Sequence, residues 1–414
     1  MTNNILIINQ HGENRGDEAA FKAMVSEISS KAKDDCAFRV IGQFRDKNYK
    51  LWENGSIEYA NILMPVIDAI CLPVYFGLRL IGLDTRFFLP GHSKQIVSWY
   101  DNADIVVSAP GGPYFGDIYK GHELVHWFFV FLARLFKKPL MLYSPSAGPF
   151  NFSPLNWIRR FGYRSFDVLC ARESISAKNI ETLCPGISVK VTADSALQCS
   201  DFSIDEDDLR IREITDYANA ADRFVIISLL DYKFYNRTDS ASLKSNYLES
   251  VRSLLEALDG QHSCYFLFLP QLAGEVHSDY DFIQRFTASL SLKGHTEILD
   301  RQFDSDVQRA LVQLSDLVIA SRYHPQIFAG SAIIPLLAIY YEHKSLGFME
   351  MMGIKEYAIS IWDITPGMAT GVLKKLESSR DGIINTMRQN IEHIQEGSRI
   401  STSSVIELLE GNRE

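Results

Sequence analysis

The sequence predicts an α/β protein of two successive domains, each a parallel sheet covered by helices. Three observations predict it. Short apolar runs of strand length alternate with longer helical segments along most of the chain. The alternation starts afresh after an acidic, polar stretch, 201–222, where Asp205, Glu206, Asp207 and Asp208 stand in a row. The length, 414 residues with 46% hydrophobic and 22% charged, exceeds one ordinary core and suffices for two. The expected division is 1–200, a connection over 201–222, a second domain over 223–365, and C-terminal helices over 366–414.

The elements follow in order. Residues 5–9 form a short apolar strand, followed by a polar loop and a helix over 18–33. Further strands are expected at 38–42, 104–108, 139–144, 168–171 and 189–192, with a buried helix over 124–136. The second set has strands at 224–229, 265–269, 296–299, 317–320 and 335–340, and helices over 245–258, 279–290 and 304–314. Helices over 366–376 and 380–409 close the chain.

One apolar stretch, 62–83, stands apart. Asp68 and Arg79 interrupt it, and Pro65 and Pro73 break a membrane-spanning helix. Two readings stay open: a helical excursion packed in the core, or an interfacial segment in peripheral contact with a membrane.

The net charge of -10 lacks the uniformly basic footprint of a nucleic-acid binder. The six cysteines, Cys36, Cys71, Cys170, Cys184, Cys199 and Cys264, contain no CxxC pair and read as buried free thiols in a reducing compartment. Met1-Thr2-Asn3-Asn4 has no basic n-region or cleavage site, so no secretory signal is expected. The expected location is cytoplasmic, with 62–83 as the candidate contact to the inner face of a membrane.

The chemistry-bearing motifs fall at strand ends, where open α/β sheets bind ligands. In Gly12-Glu13-Asn14-Arg15-Gly16-Asp17-Glu18, two glycines permit close backbone approach and a helix N-terminus offers amides. The bland alternative is a turn capped by Asp17. Gly111-Gly112 and Ser146-Ala147-Gly148 offer flexible backbone, a hydroxyl and amides, or are merely structural loops. Arg172, in Ala171-Arg172-Glu173-Ser174, could face a carboxylate or phosphate. In Ser321-Arg322-Tyr323-His324-Pro325, an extended loop would project Arg322 and His324 the same way, as an anion fork beside a proton carrier. Lys344 is a second anion ligand or a solvent-exposed lysine; Asp194 and Gln271 are lesser candidates. The sequence contains no phosphate-binding GxxxxGK[ST], no HExxH, no GxSxG and no GxGxxG.

Taken in order, these motifs resemble the polysaccharide pyruvyl transferase family over roughly residues 5–355. The matching segments are Glu13–Ala19, Gly111-Gly112, Ser146–Phe150, Ala171–Ser174, Ala193-Asp194, Ser321–His324 and Tyr341–Lys344. Pro113 departs from the family's run of glycines and stiffens that segment. The resemblance implies two Rossmann-like domains facing across a cleft, as in the glycosyltransferase-B-like fold. It implies phosphoenolpyruvate as co-substrate, no cofactor, a saccharide diol, free or lipid-linked, as acceptor in surface polysaccharide biosynthesis, and a pyruvate ketal as product. It assigns His324 as acid/base, with Arg322, Arg172 and Lys344 on the donor. Asn14, Arg15, Asp17, Gly111, Gly112 and Ser146 fall to the acceptor or to shaping the cleft. Two alternatives share the fold: a sugar-nucleotide-dependent glycosyltransferase, and a non-catalytic saccharide-binding protein.

Overall fold

The computed structural model describes residues 2–44, 50–52, 54–61, 66–117, 120–199, 208–234, 237–272, 274 and 278–411. The chain divides into two compact units. Unit 1 comprises Met1–Glu13, Ala20–Cys199 and Gln395–Glu414; unit 2 comprises Asn14–Ala19 and Ser200–Ile394. Part of the acidic run, 205–207, lies outside the described residues. The remainder of the expected connection contains a helix, Leu209–Ala220, whose N-cap Asp208 accepts from the amides of Arg210 and Ile211. A carboxylate there answers free helix amides.

Unit 1 carries β1 (Asn3–His11), β2 (Cys36–Gln43), β3 (Ile57–Asn61), β4 (Ile105–Ser108), β5 (Gly111–Phe115), β6 (Leu140–Leu142), β7 (Pro145–Ala147), β8 (Val168–Ala171) and β9 (Lys190–Val191). Seven of them form a sheet in the order β3-β2-β1-β4-β6-β8-β9, and every pairing is parallel. Parallel sheets are covered on both faces, which is why these strands read as near-continuous apolar runs. The period of two sorts β1 cleanly. Ile5 and Ile7 join Phe21, Met24, Val25 and Ile28 of helix Arg15–Lys31 on one face. Leu6 and Ile8 join Trp99, Trp127, Val130 and Ile180 on the other.

Unit 2 carries β10 (Arg223–Ser228), β11 (Cys264–Phe268), β12 (His295–Ile298), β13 (Leu317–Ala320), β14 (Leu336–Tyr340) and β15 (Ala358–Ser360). Their order is β12-β11-β10-β13-β14-β15, again all parallel. Counted within the unit this is 3-2-1-4-5-6, the doubly wound order, with the chain reversing direction across the sheet between β10 and β13. Unit 1 reverses in the same way between β1 and β4. The two closing helices are Pro366–Ser378 and Arg380–Gly411.

In the apolar stretch, 62–65 lie outside the described residues and Val66–Leu80 form a helix. Pro73 sits inside that helix and does not end it. Its missing N–H faces the exposed side, where Ala69 and Pro73 meet solvent and water can serve the orphaned carbonyl. The segment is two-faced: Leu72 and Tyr75 are core residues, whereas Ile70 and Val74 are more than half exposed. Among the described residues no helix is long and apolar enough to cross a membrane.

Helix Lys120–Leu135 and helix Asn156–Tyr163 are pinned by a charge pair inside the apolar layer. Arg159 Nε and Nη2 donate to the two oxygens of Glu123 at 2.9 and 2.7 Å, and both side chains are fully buried. Asp117 also lies 2.9 Å from Arg159 Nη2, so Glu123→Ala leaves Arg159 with one carboxylate and should cost about 1.5–3 kcal/mol by urea unfolding.

All six cysteines are free; Cys170, Cys184 and Cys264 are buried and the other three only partly so. Burial raises the Cys170 thiol from 9.0 to about 11 and the Cys264 thiol to about 12. Both bind their proton more tightly folded than unfolded. Their stabilising contribution is therefore complete below pH 9 and fades as pH rises towards 11–12. At pH 8 a thiol reagent should leave these two unmodified until the protein is denatured, with thiol counting as the readout.

Candidate functional site

The carboxyl ends of β10, β11, β13 and β14 gather the strongest candidates in unit 2. Arg322 follows β13 at the point where the strand order reverses, and it is the N-cap of helix Tyr323–Ala332. His324 lies in the first turn of that helix, so the expected extended loop is replaced by a helical start. Pro325 explains the change: its fixed φ and missing N–H suit a first turn. His324 is 6% exposed and meets Tyr323 edge-on at 5.2 Å between ring centroids.

Segment Asn14–Ala19 belongs to this unit. Asn14 pairs with Leu272 in an isolated antiparallel bridge, and the Arg15 N–H donates to the Gln271 carbonyl at 3.0 Å. The cap is Asn14 and not Asp17: its Oδ1 accepts from the Gly16 N–H at 2.9 Å. Asp17 sits within the first turn, 5% exposed. Gly16 is required by a close approach. A Cβ built there would lie 1.6 Å from His324 Nδ1. The GENRGDE motif therefore brings a side-chain-free backbone against the imidazole.

Every cation of this group is matched. Arg15 pairs with Glu18 at 2.6 Å and donates to the Arg301 carbonyl. Glu18 also accepts from the Ser305 N–H at 3.1 Å and its hydroxyl at 3.0 Å. Ser305 opens helix Ser305–Gln313, where negative charge is favoured. Arg322 makes a two-pronged pair with Asp279, Nε to Oδ2 at 3.0 Å and Nη2 to Oδ1. Asp279 Oδ2 is further held by the amides of Gln271 and Leu272. Arg322 also bonds the Tyr341 hydroxyl, whose pKa is driven upward by burial first and by the charge of Glu342 second. Lys344 is 8% exposed, which overturns the solvent-exposed alternative. Its Nζ lies 2.9 Å from Glu342 and 5.6 Å from the centre of the Tyr323 ring. It occupies the first turn of helix His343–Met351. Gln271 is buried and bonds Gln308.

The remaining candidates belong to unit 1. Gly111 and Gly112 open β5, a strand paired in parallel with β7, so the expected glycine loop is strand. Gly111 adopts φ 140, which a side chain rarely tolerates. Ser146 on β7 is fully buried; it accepts from Arg172 Nε at 2.7 Å and donates to Glu173 at 3.1 Å. Arg172 is 1% exposed and its Nη1 holds Asp194 at 2.7 Å. This network ties the ends of β7 and β8 to the Asp194 turn.

Several participants carry no sequence signal. His11, at the end of β1, lies 3.0 Å from His126, Nε2 to Nε2, although the two are far apart in the chain. Asp279 was expected only as the start of a helix; its neighbour Ser278, which accepts from the Tyr280 N–H as N-cap, is the cue that fixes that start.

Two open parallel sheets of doubly wound order define a glycosyltransferase-B-like α/β protein. UDP-GlcNAc 2-epimerase from Neisseria meningitidis superposes with a TM-score of 0.61 at 13% identity, covering 98% of this chain and all of its own. Anabaena Alr3699/HepE, solved in complex with UDP-glucose, gives 0.56 at 15% identity, covering 99% and 98%. These likenesses establish the fold. The chain itself belongs to the polysaccharide pyruvyl transferase family, whose model matches residues 14–343. It is also 22% identical to the amylovoran biosynthesis protein AmsJ of Erwinia amylovora, over 93% of this chain and 95% of that one.

The Gly16 contact gives a direct test. Gly16→Ala must push the His324 ring aside, and a shift of about 1 Å in any group that touches a substrate costs on the order of 10²-fold in turnover. The variant should keep its fold by circular dichroism. Normal turnover would show that the close approach has no functional weight.

Proposed function

We propose that this protein transfers the pyruvyl unit of phosphoenolpyruvate to a saccharide diol, forming a cyclic pyruvate ketal and releasing phosphate in surface polysaccharide synthesis. The observation that carries the reading is the grouping of Arg322, His324 and Lys344 in unit 2, with Arg322 and His324 directly after β13 where the strand order reverses. Family membership supports it.

In this reading His324 gives a proton to the methylene carbon of the donor, and the central carbon becomes electrophilic. A sugar hydroxyl adds there. Phosphate departs with the bridging oxygen, and the second hydroxyl closes the ketal. Of the two hydroxyl protons, one goes to His324 and replaces the proton given to the methyl group, and the other leaves with phosphate. General acid–base catalysis is efficient when the proton carrier titrates near the working pH, as histidine does.

Arg322 and Lys344 receive the phosphate and carboxylate of the donor. Asp279 and Glu342 hold these cations in place beforehand and share them with the incoming anion. Helices Tyr323–Ala332 and His343–Met351 both begin here, and helix N-termini favour anions. Asn14, Arg15 and Asp17 shape the floor beside His324.

The test is phosphate release and a product mass gain matching a pyruvate ketal, with phosphoenolpyruvate and a panel of galactosyl, glucosyl and mannosyl acceptors. His324→Ala should lose about 10²–10⁴-fold in turnover. Lys344→Met should raise the KM for phosphoenolpyruvate by on the order of tenfold. Thermal stabilisation by a sugar nucleotide, with none by phosphoenolpyruvate, would instead favour a sugar-nucleotide glycosyltransferase on the same fold.

A further inference from the structure

We propose that unit 1 docks on an anionic lipid bilayer through the outer face of three neighbouring helices and the turn that follows the first of them. The helices are Val66–Leu80, Lys120–Leu135 and Asn156–Tyr163. They are neighbours in the fold: Phe76 meets Phe128 at 5.6 Å between ring centroids, and Phe131 meets Phe161 at 5.1 Å. Each buries one side in the core, through Leu72 and Tyr75, Trp127 and Val130, and Tyr163.

Their other sides are apolar as well. Ile70 and Val74 stand one turn apart on the first helix, each more than half exposed. Leu124 and Val125 are exposed on the second, and Trp157 and Phe161, again one turn apart, are 70% and 63% exposed on the third. Beyond the first helix the chain displays Ile81 and Leu83, then Phe87 and Phe88 at 79% and 82% exposed. Single exposed apolar residues are ordinary, but so many large ones on neighbouring elements mark an interaction surface.

Charge decides the partner. The chain carries a net -10, yet residues 118–167 hold seven Lys and Arg against two carboxylates. Both carboxylates are already committed, Glu123 to the buried Arg159 and Asp167 to Arg134. Arg160 and Arg164, both exposed, flank Trp157 and Phe161, and Lys94 Nζ lies 5.8 Å from the centre of the Phe87 ring. Exposed aromatics beside basic side chains suit the headgroup region of an anionic membrane. A second copy would set these cations against themselves; anionic headgroups answer them. Since none of the described helices can span a bilayer, the contact lies in the plane of the interface.

The surface is distinct from the groups assigned to chemistry, so it is tested separately. Full-length protein should float with phosphatidylglycerol–phosphatidylcholine vesicles, less with pure phosphatidylcholine, and less at high salt. The double variants Phe87→Ser/Phe88→Ser and Trp157→Ser/Phe161→Ser should each cut vesicle binding by about tenfold or more, with unchanged thermal melting. Arg160→Glu/Arg164→Glu should weaken binding to the anionic vesicles alone. Brominated lipid should quench tryptophan fluorescence in the wild type and much less in Trp157→Phe. Absence of flotation at low salt, or flotation of both aromatic variants at the wild-type level, would overturn the proposal. So would a dimer in size-exclusion chromatography that the aromatic variants dissolve without any vesicle binding.

Discussion

The structure depends on the constraint that a parallel strand cannot turn back on its neighbour. Each pair of adjacent strands needs a crossover, and most of the crossovers here are helices that must lie on the sheet. Both sheets are therefore buried on both faces, and every strand delivers its chain to the same rim. When the winding direction reverses, two neighbouring strands send their connections to opposite faces and the rim opens there. Arg322 and His324 stand at that opening in unit 2, and His11 and Ser108 end the corresponding strands in unit 1.

The electrostatics of the unit 2 rim follow a single pattern. Arg15 has Glu18, Arg322 has Asp279, and Lys344 has Glu342. Leaving such cations bare in a nearly dry setting would be costly, so the fold supplies a carboxylate to each. The carboxylates of Asp279 and Glu18 are tied in turn to backbone amides, which fixes their positions and hence the directions of Arg322 and Arg15.

Much of the fold was legible because core strands and helices declare themselves by apolar period. The strand at 5–9 and the helix at 18–33 reappear as Asn3–His11 and Arg15–Lys31. What escaped reading lacks that signature. Gly111–Phe115 forms strand despite two glycines and a proline, because its partner is a three-residue strand and not the main sheet. Ile57–Asn61 is an edge strand, and Ala358–Ser360 is too short to show a period. At the site, the order of motifs pointed to Arg322, His324 and Lys344, but not to their partners. Asp279 and Glu18 are ordinary acidic residues until folding sets them against Arg322 and Ser305. Nor did the sequence separate the two sides of the 62–83 stretch, since both are apolar and only packing tells them apart.

The absence of a side chain at Gly16 reaches beyond the backbone it frees. The space that a methyl group would fill is taken by the ring of His324, a residue from the far end of the chain. The two positions are thereby coupled: a side chain at 16 must either displace the ring of His324 or stand beside a smaller residue at 324. In evolutionary terms the two positions are epistatic: the cost of a side chain at 16 depends on what stands at 324.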